Sequence, residues 1–176
     1  MDSWARENGV GNYDEGGNWA NTGKVNPSLL QIMLKEEYFN KPSPKSTGPD
    51  FFNLEWVKNT IDKNGEEVKP EDLQSTLLEL TVMSLTKELK SLGVISDGLY
   101  FCGGGIHNKS LMKRIEKELG FRILTTADIG VDPDYLEATS FAWFAAQRIK
   151  GRKFDLSKVT GSNREVFLGV ITEPAI

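Results

Sequence analysis

One strand–glycine–helix–strand pattern in the middle of the chain constrains the fold most. Residues 99–102 form a short apolar run, three consecutive glycines follow, and Asn108 begins a helical pattern that stops at Gly120. Residues 121–125 then predict a second strand. Because a helix connects the two strands, we expect them to lie parallel with a right-handed crossover. The sequence therefore predicts an α/β fold.

The glycines Gly103, Gly104 and Gly105 stand where the first strand would end. Without Cβ atoms, a ligand can approach this backbone closely, and the next helix presents its free N–H groups there. In open α/β sheets ligands bind at this edge, so we expect a phosphate group as the ligand. A plain tight turn explains the triplet equally well. The pattern is neither a dinucleotide fingerprint nor a Walker loop.

Residues that typically begin or end helices predict the elements in the rest of the chain. Asn26-Pro27 and Asn53 are typical helix starts, and Pro70 begins the clearest helix, which should end at Gly93. Asp132-Pro133 should open a last helix through Ile149, and residues 166–171 predict a final strand. Residues 1–25 are rich in Gly and Asn, apart from a short helix that stops before Gly9. No internal repeat is evident.

Composition excludes several classes of protein. The net charge of −4 argues against general binding to a nucleic-acid backbone. No apolar run approaches the ~20 residues of a membrane span, and no signal segment follows Met1. A single cysteine, Cys102, excludes an internal disulfide and suits the cytoplasm. We expect Cys102 to be buried at a strand end and Trp143 to lie in the core.

Other candidate residues have simpler interpretations when each is taken alone. The Lys45-Ser46-Thr47-Gly48 loop suits contact with phosphate or sugar, yet an exposed polar loop explains it as well. Glu137, in the first turn of the last helix, can stabilise the helix dipole. His107 is a lone histidine and more typical of a hydrogen-bonding turn than of a catalyst. For the acidic residues, helix capping and solvation are simpler roles than a metal site: Asp128, Asp132 and Asp134.

Taken in order, the motifs resemble the anhydro-N-acetylmuramic acid kinase family nearly end to end. The helix Met1-Asp2-Ser3-Trp4 comes first, and the glycine motif Cys102-Gly103-Gly104-Gly105 with Asn108 is the most distinctive piece. The other matching segments are Thr22-Gly23-Lys24-Val25-Asn26, Pro44-Lys45-Ser46-Thr47-Gly48, Phe52-Asn53, residues 74–81, Leu111-Met112, Glu137-Ala138, Phe141-Ala142-Trp143 and Val159-Thr160-Gly161.

The resemblance implies a fold and a reaction. The family belongs to the acetate and sugar kinase, Hsc70 and actin superfamily, whose two lobes each carry a ribonuclease-H-like sheet. Residues 1–176 would be a single C-terminal lobe, with an incomplete sheet. Within it, residues 1–69 would be a loop- and helix-rich segment lining the cleft, and residues 70–176 an α/β nucleotide-binding part. The implied reaction uses ATP and Mg²⁺ to open the 1,6-anhydro bond of anhydro-N-acetylmuramic acid with water and to phosphorylate oxygen 6, in peptidoglycan recycling.

By the same resemblance, Gly103, Gly104, Gly105 and Asn108 would face the nucleotide, and Glu137 would help position the sugar. The Lys45-Ser46-Thr47-Gly48 loop would lie near the cleft, without an assigned role. Two positions depart from the pattern, since Pro49 stands where arginine is common and Ile106-His107 replaces a usual Ala-Arg. Either departure can weaken local nucleotide contacts.

The catalytic aspartate of the family lies in an Asp-x-Gly-Pro-Gly-Asn segment, which is expected upstream of Met1. A general base must lie within hydrogen-bond reach of its water, so we expect this chain to be inactive alone. One alternative is a subunit of a split kinase with a separate N-terminal half. Another is a non-enzymatic module that binds a nucleotide or a sugar. Missing strands would also leave unpaired edge groups and an uncovered apolar face, which predicts dimerisation, rearranged strand pairing or poor solubility.

Overall fold

The computed structural model describes residues 1–42, 44–93 and 98–172, and helix α4 is the element on which its helical part is built. This helix begins at Pro70 and ends at Ser91, as predicted. Among the described residues, three α-helices precede it along the chain: α1 (Asp2–Glu7), α2 (Pro27–Leu34) and α3 (Leu54–Asn64). Helices α2 and α3 pack with α4 around one apolar cluster.

Asparagine side chains begin three of the helices, as the sequence predicts. The Oδ1 atom of Asn26 accepts a hydrogen bond from the Leu29 amide at 3.0 Å. Asn53 accepts one from the Trp56 amide at 2.9 Å. Each bond satisfies a helix N–H group that has no partner within the helix, which is why asparagine favours this position.

Two buried clusters lie on opposite sides of α4. One contains Leu77 and Leu80 of this helix together with apolar side chains of α2 and α3, and the other contains Leu78 and Val82 together with Leu111 and Ile115. Helix α4 therefore links the amino-terminal helices to the part that carries the glycines.

The predicted β-α-β unit is present. Strand β1 (Leu99–Phe101) pairs in parallel with β2 (Ile123–Thr125), and helix α5 (Lys109–Leu119) connects them. Helix α5 packs its apolar side on α4, which places the carboxyl end of β1 beside the amino-terminal segment.

The carboxyl-terminal part combines one 14-residue helix with several short elements. It contains α6 (Leu136–Ile149), β3 (Lys153–Phe154), α7 (Ser157–Thr160) and β4 (Val166–Phe167), and the two strands pair antiparallel. Helix α6 begins four residues later than Asp132, because the Asp132 carbonyl and carboxylate accept bonds within a turn that precedes it. The strand predicted over residues 166–171 is confined to β4.

Two burial predictions are wrong. Trp143 is 48% exposed although its ring packs against that of Phe154 in β3, and Phe141 is 62% exposed. Cys102 is exposed as well, since β1 ends at Phe101 and the chain turns outward at the glycines. No described helix has the length and apolar character needed to cross a membrane.

Candidate functional site

A cavity of about 410 Å³ opens where the glycine motif meets the amino-terminal segment. One wall comes from the turn before α5 and from α5 itself, and it consists of Gly104, Gly105, His107, Asn108 and Leu111. The opposite wall comes from the first sixteen residues, and it consists of Met1, Asp2, Tyr13, Asp14 and Gly16. The cavity therefore joins two segments about a hundred positions apart in the sequence.

The glycine wall is held open by its backbone. Gly103 has a φ of +77°, a conformation that other residues rarely adopt, and its amide donates a hydrogen bond to the Pro133 carbonyl at 2.9 Å. A Cβ atom at Gly103 or Gly104 would have no atom within 4 Å, so the space beside this backbone is available to a ligand. Residues Gly104–His107 then form a 3₁₀ turn leading into α5.

Asn108 combines a structural role with a place in the cavity. Its Oδ1 atom accepts a hydrogen bond from the Leu111 amide at 2.9 Å, which begins α5 as predicted. The helix terminus it begins carries a partial positive charge from the aligned peptide dipoles. Because Asn108 and Leu111 both line the cavity, this terminus adjoins it and favours an anionic ligand.

Asp14 organises the opposite wall. It is 5% exposed, and its carboxylate accepts hydrogen bonds from the Trp19 amide at 2.8 Å, the Ala20 amide at 2.9 Å and Gln74 Nε2 at 3.3 Å. These donors compensate the buried charge and fold residues 14–20 into a tight turn. Asp14 was not among the residues predicted for the site, although an aspartate followed by Gly16-Gly17 is a turn signal that marks it.

The two walls touch at Gly17. This residue has a φ of +73°, and a Cβ atom on it would overlap the Asn108 side chain and Ser110. The Ser110 hydroxyl also donates to Asn21 Oδ1 at 2.5 Å. Only glycine allows this close approach, so the turn of Asp14 and the start of α5 form one unit.

His107 connects the glycine turn to the residues before α6. Its Nε2 atom lies 2.8 Å and 3.0 Å from the two carboxylate oxygens of Asp134. The expectation of a hydrogen-bonding turn residue agrees with this geometry. Asp134, for which capping or solvation was expected, is instead the partner of His107.

The loop Lys45-Ser46-Thr47-Gly48 lies outside the glycine cavity. Lys45 Nζ is 2.6 Å from Glu88 Oε1 on α4 and 5.3 Å from the centre of the Tyr38 ring, and its side chain is 10% exposed. Ser46 and Thr47 are exposed, and the Gly48 carbonyl accepts bonds from the Phe51 and Phe52 amides. Thr47 lines a second cavity, of about 340 Å³, which also contains aromatic side chains of residues 38–56. Met1 borders both cavities.

Glu137 is exposed in the first turn of α6 and lies outside the residues that line the glycine cavity. The structure thus brings Gly104, Gly105 and Asn108 together with Asp14 and His107. It places neither Glu137 nor Lys45 in their cavity.

Two further features bear on the chemistry of the site. Among the residues that the structure describes, no group of three or more histidine, cysteine, aspartate or glutamate side chains is arranged to hold a metal ion. Burial lowers the pKa of the Met1 amino group from its ordinary value. The α5 terminus and the turn before it supply the attraction for an anion in this cavity.

Comparisons with known proteins give a consistent result. A family model described as anhydro-N-acetylmuramic acid kinase matches residues 1–174. The chain is 41% identical over 174 residues to a protein of that name from Coxiella burnetii, covering 97% of this chain and 46% of the relative. It is 40% identical over 175 residues to one from Saccharophagus degradans, covering 99% and 47%.

A third relative of the same name, from Actinobacillus pleuropneumoniae serotype 7, is 43% identical over 173 residues, covering 97% of this chain and 47% of the relative. The chain therefore spans about half the length of the curated relatives it matches.

Proposed function

The chain belongs to the anhydro-N-acetylmuramic acid kinase family, and we propose that it is the part of such a kinase that holds the phosphates of ATP. The cavity between the glycine turn and the turn of Asp14 carries this proposal. It combines an open glycine backbone, a helix N-terminus and a buried, compensated carboxylate in one space of about 410 Å³.

In the proposed assignment Gly103, Gly104, Gly105 and Asn108 contact the nucleotide. The glycine backbone allows phosphate oxygens to approach, and the start of α5 stabilises their charge electrostatically. Asp14 positions the opposite wall rather than reacting, because its oxygens already accept three hydrogen bonds.

Magnesium is expected to arrive with the nucleotide. Mg²⁺ in kinases is typically held by one or two carboxylates together with substrate phosphates, and not by a dedicated protein cage. Asp2 lines the cavity and is exposed, so it fits this role better than Asp14, whose carboxylate is already engaged. When bound, the ion would neutralise phosphate charge during transfer.

For the reaction, we assign the chain to the C-terminal half of the kinase, a lobe with a ribonuclease-H-like sheet. Residues 1–69 would line the cleft and residues 70–176 would supply the α/β nucleotide-binding part. The substrate would be anhydro-N-acetylmuramic acid, whose 1,6-anhydro bond is opened with water as oxygen 6 is phosphorylated during cytoplasmic peptidoglycan recycling. The Asp-x-Gly-Pro-Gly-Asn segment does not occur in the 176 residues. We therefore expect another segment to provide the catalytic base.

Sugar contacts would lie outside the glycine cavity. Glu137, exposed at the start of α6, is available to position the sugar. The loop of Lys45, Ser46, Thr47 and Gly48 borders the second cavity through Thr47, where aromatic rings and hydroxyl groups offer surfaces of the kind that sugars contact. The role of Lys45 itself would be structural, since it pairs with Glu88.

The exposed side of α6 favours a second possibility, a split kinase completed by a separate N-terminal half. Phe141, Ile149 and Val170 are all more than half exposed, and soluble proteins rarely leave so many neighbouring apolar side chains in water. A homodimer through the same side would also cover it. A stand-alone nucleotide- or sugar-binding module is the remaining alternative and predicts binding without catalysis.

Two measurements test the function. Isothermal titration of the chain with MgATP should give saturable binding, and Gly104→Val should weaken it because the new side chain enters the cavity. Lys63→Val, on the exposed surface of α3, is the matched control. Absence of heat with the unaltered chain would overturn the proposed site.

The second measurement is phosphorylation of anhydro-N-acetylmuramic acid, first by the chain alone and then with the N-terminal half of the Coxiella relative added as a separate polypeptide. We expect product only in the mixture. Product from the chain alone would contradict the assignment of the base to another segment. Binding of ATP without product in the mixture would favour the binding module.

A further inference from the structure

His107 occupies a position that the nucleotide assignment does not use. It ends the 3₁₀ turn Gly104–His107 and lines the cavity beside Gly104, Gly105 and Asn108. Its side chain is 60% exposed, so the ring is accessible to a ligand.

The ring is held from one side. Nε2 lies 2.8 Å and 3.0 Å from the carboxylate oxygens of Asp134, and the Asp134 amide donates to Asp132 Oδ1 at 2.9 Å. The Gly103 amide bonds to the carbonyl of Pro133, the residue before Asp134. Two connections between the same segments therefore fix the turn of His107 relative to its carboxylate partner.

This arrangement leaves one ring nitrogen for a ligand. Within the part of the chain that the structure describes, the partner of His107 is Asp134, which engages Nε2 alone. A protonated imidazole donates from both nitrogens, so Nδ1–H can bond an acceptor in the cavity while Nε2–H bonds the carboxylate.

Carboxylates from two segments lie near the ring or line its cavity. Asp134 and Asp132 lie on one side, and Asp2 and Asp14 line the same cavity from the amino-terminal segment. Asp14 is already compensated by three donors. A phosphate beside Nδ1 would accept a hydrogen bond from the ring while Asp134 is bonded to Nε2 on its other side.

We propose that His107 is a phosphate-binding residue of this cavity and that Asp134 is the positioning residue that orients it. This inference rests on the proposed function, because it requires a phosphate-bearing ligand at the glycine turn. Histidine side chains change charge near neutral pH, so phosphate affinity at this site should rise as the pH falls through that region.

The experiment measures binding of ATP, of inorganic tripolyphosphate and of adenosine to the unaltered chain, His107→Gln and Asp134→Asn, at about pH 6 and about pH 8. Lys113→Gln removes a positive charge from an exposed position on α5, the helix that follows the turn of His107, and controls for long-range electrostatics. Because ATP itself gains a proton in this range, the decisive quantity is the difference between variant and unaltered chain at each pH.

At about pH 6, His107→Gln should bind ATP and tripolyphosphate about tenfold more weakly than the unaltered chain, and the gap should shrink at about pH 8. Asp134→Asn should show a smaller loss with the same pH dependence. Adenosine binding should be the same in all variants, and Lys113→Gln should show little change at either pH.

Equal affinity of His107→Gln and the unaltered chain for ATP at both pH values would overturn the role of His107 while leaving the cavity as a nucleotide site. A loss of the same size at both pH values, or a loss that includes adenosine, would assign His107 a structural role and also overturn the inference. Failure of the unaltered chain to bind either phosphate compound would remove the proposed function and the inference together.

Discussion

The two ends of this chain use apolar residues in opposite ways. Around α4, large side chains such as Leu29, Leu73 and Leu78 are completely buried. From α6 onward, side chains of the same kind face water, with Phe141 62% exposed and Ile149 77% exposed. Both ends have helices of apolar composition, so the difference lies in what covers them.

The helices around α4 form a core of their own, whereas α6 does not. The helices around α4 bury one another's apolar sides and support the cavity without help from α6. The exposed side of α6 has the composition of an interior, which is what a surface prepared for another segment of a larger fold would have. This contrast agrees with a chain that spans about half the length of its relatives.

The strongest challenge to this contrast is a matched pair of truncations. Leu78→Ala removes a side chain that is fully buried between α4 and α5, and it should lower the free energy of unfolding by about 2–5 kcal/mol. Phe141→Ala removes a larger but exposed side chain and should change it by less than about 0.5 kcal/mol. Urea denaturation measures both. A cost for Phe141→Ala as large as that for Leu78→Ala would mean that α6 is covered in solution.

The next largest effect concerns the contact between the two cavity walls. Gly17→Ala adds a Cβ atom that overlaps Asn108 and Ser110, whereas Gly9→Ala adds one at a similar positive φ with no atom within 4 Å. Both pay the conformational cost of about 1 kcal/mol, and Gly17→Ala should lose a further ~1–3 kcal/mol. Thermal and urea unfolding measure this difference. Equal losses would show that the walls separate in solution.

Substitutions of two matched helix N-cap residues distinguish an effect on stability from an effect on ligand binding. Asn108→Ala and Asn53→Ala each remove an N-cap bond of 2.9 Å, and each should cost about 1 kcal/mol of stability. Only Asn108 lines the glycine cavity, so only Asn108→Ala should also weaken ATP binding in a calorimetric titration. Equal ATP affinities for the two variants would argue against Asn108 as a nucleotide contact.

The smallest predicted effect is the contribution of the exposed Asp128 carboxylate to stability. Hydrogen bonds from the Thr125 amide and hydroxyl lower the pKa of Asp128 below its ordinary value. The ionised carboxylate therefore stabilises the fold above the ordinary value, near pH 4, and this contribution disappears as the pH falls through the lowered value. Asp128→Asn should be slightly less stable than the unaltered chain at about pH 6, and the gap should close towards about pH 3. A gap that widens on acidification would contradict this sign.

Local signals in the sequence predicted the helices well. Asn26, Asn53 and Asn108 begin helices, and Gly120 ends α5 in left-handed conformation, because these preferences depend on neighbouring residues only. The parallel pairing of β1 with β2 followed from the connecting helix. The family resemblance added the expectation of nucleotide contacts, which stays a prediction.

Contacts between distant segments could not be predicted in the same way. The approach of Gly17 to Asn108 joins residues 91 positions apart, and the hydrogen bonds of Asp14 include one to Gln74. Neither leaves a periodic pattern in the sequence. Trp143 was expected in the core because composition reports what a helix would bury and not whether a partner is present.

Hydrogen–deuterium exchange of the chain with and without saturating MgATP tests the proposed nucleotide site most directly, because it reports both walls of the cavity and the exposed side of α6 in one experiment. We expect slower exchange with ATP in residues 13–17 and in residues 103–111, and unchanged exchange in α6 from Phe141 to Ile149. Protection confined to α6, or no protection in either cavity wall, would contradict the proposed site.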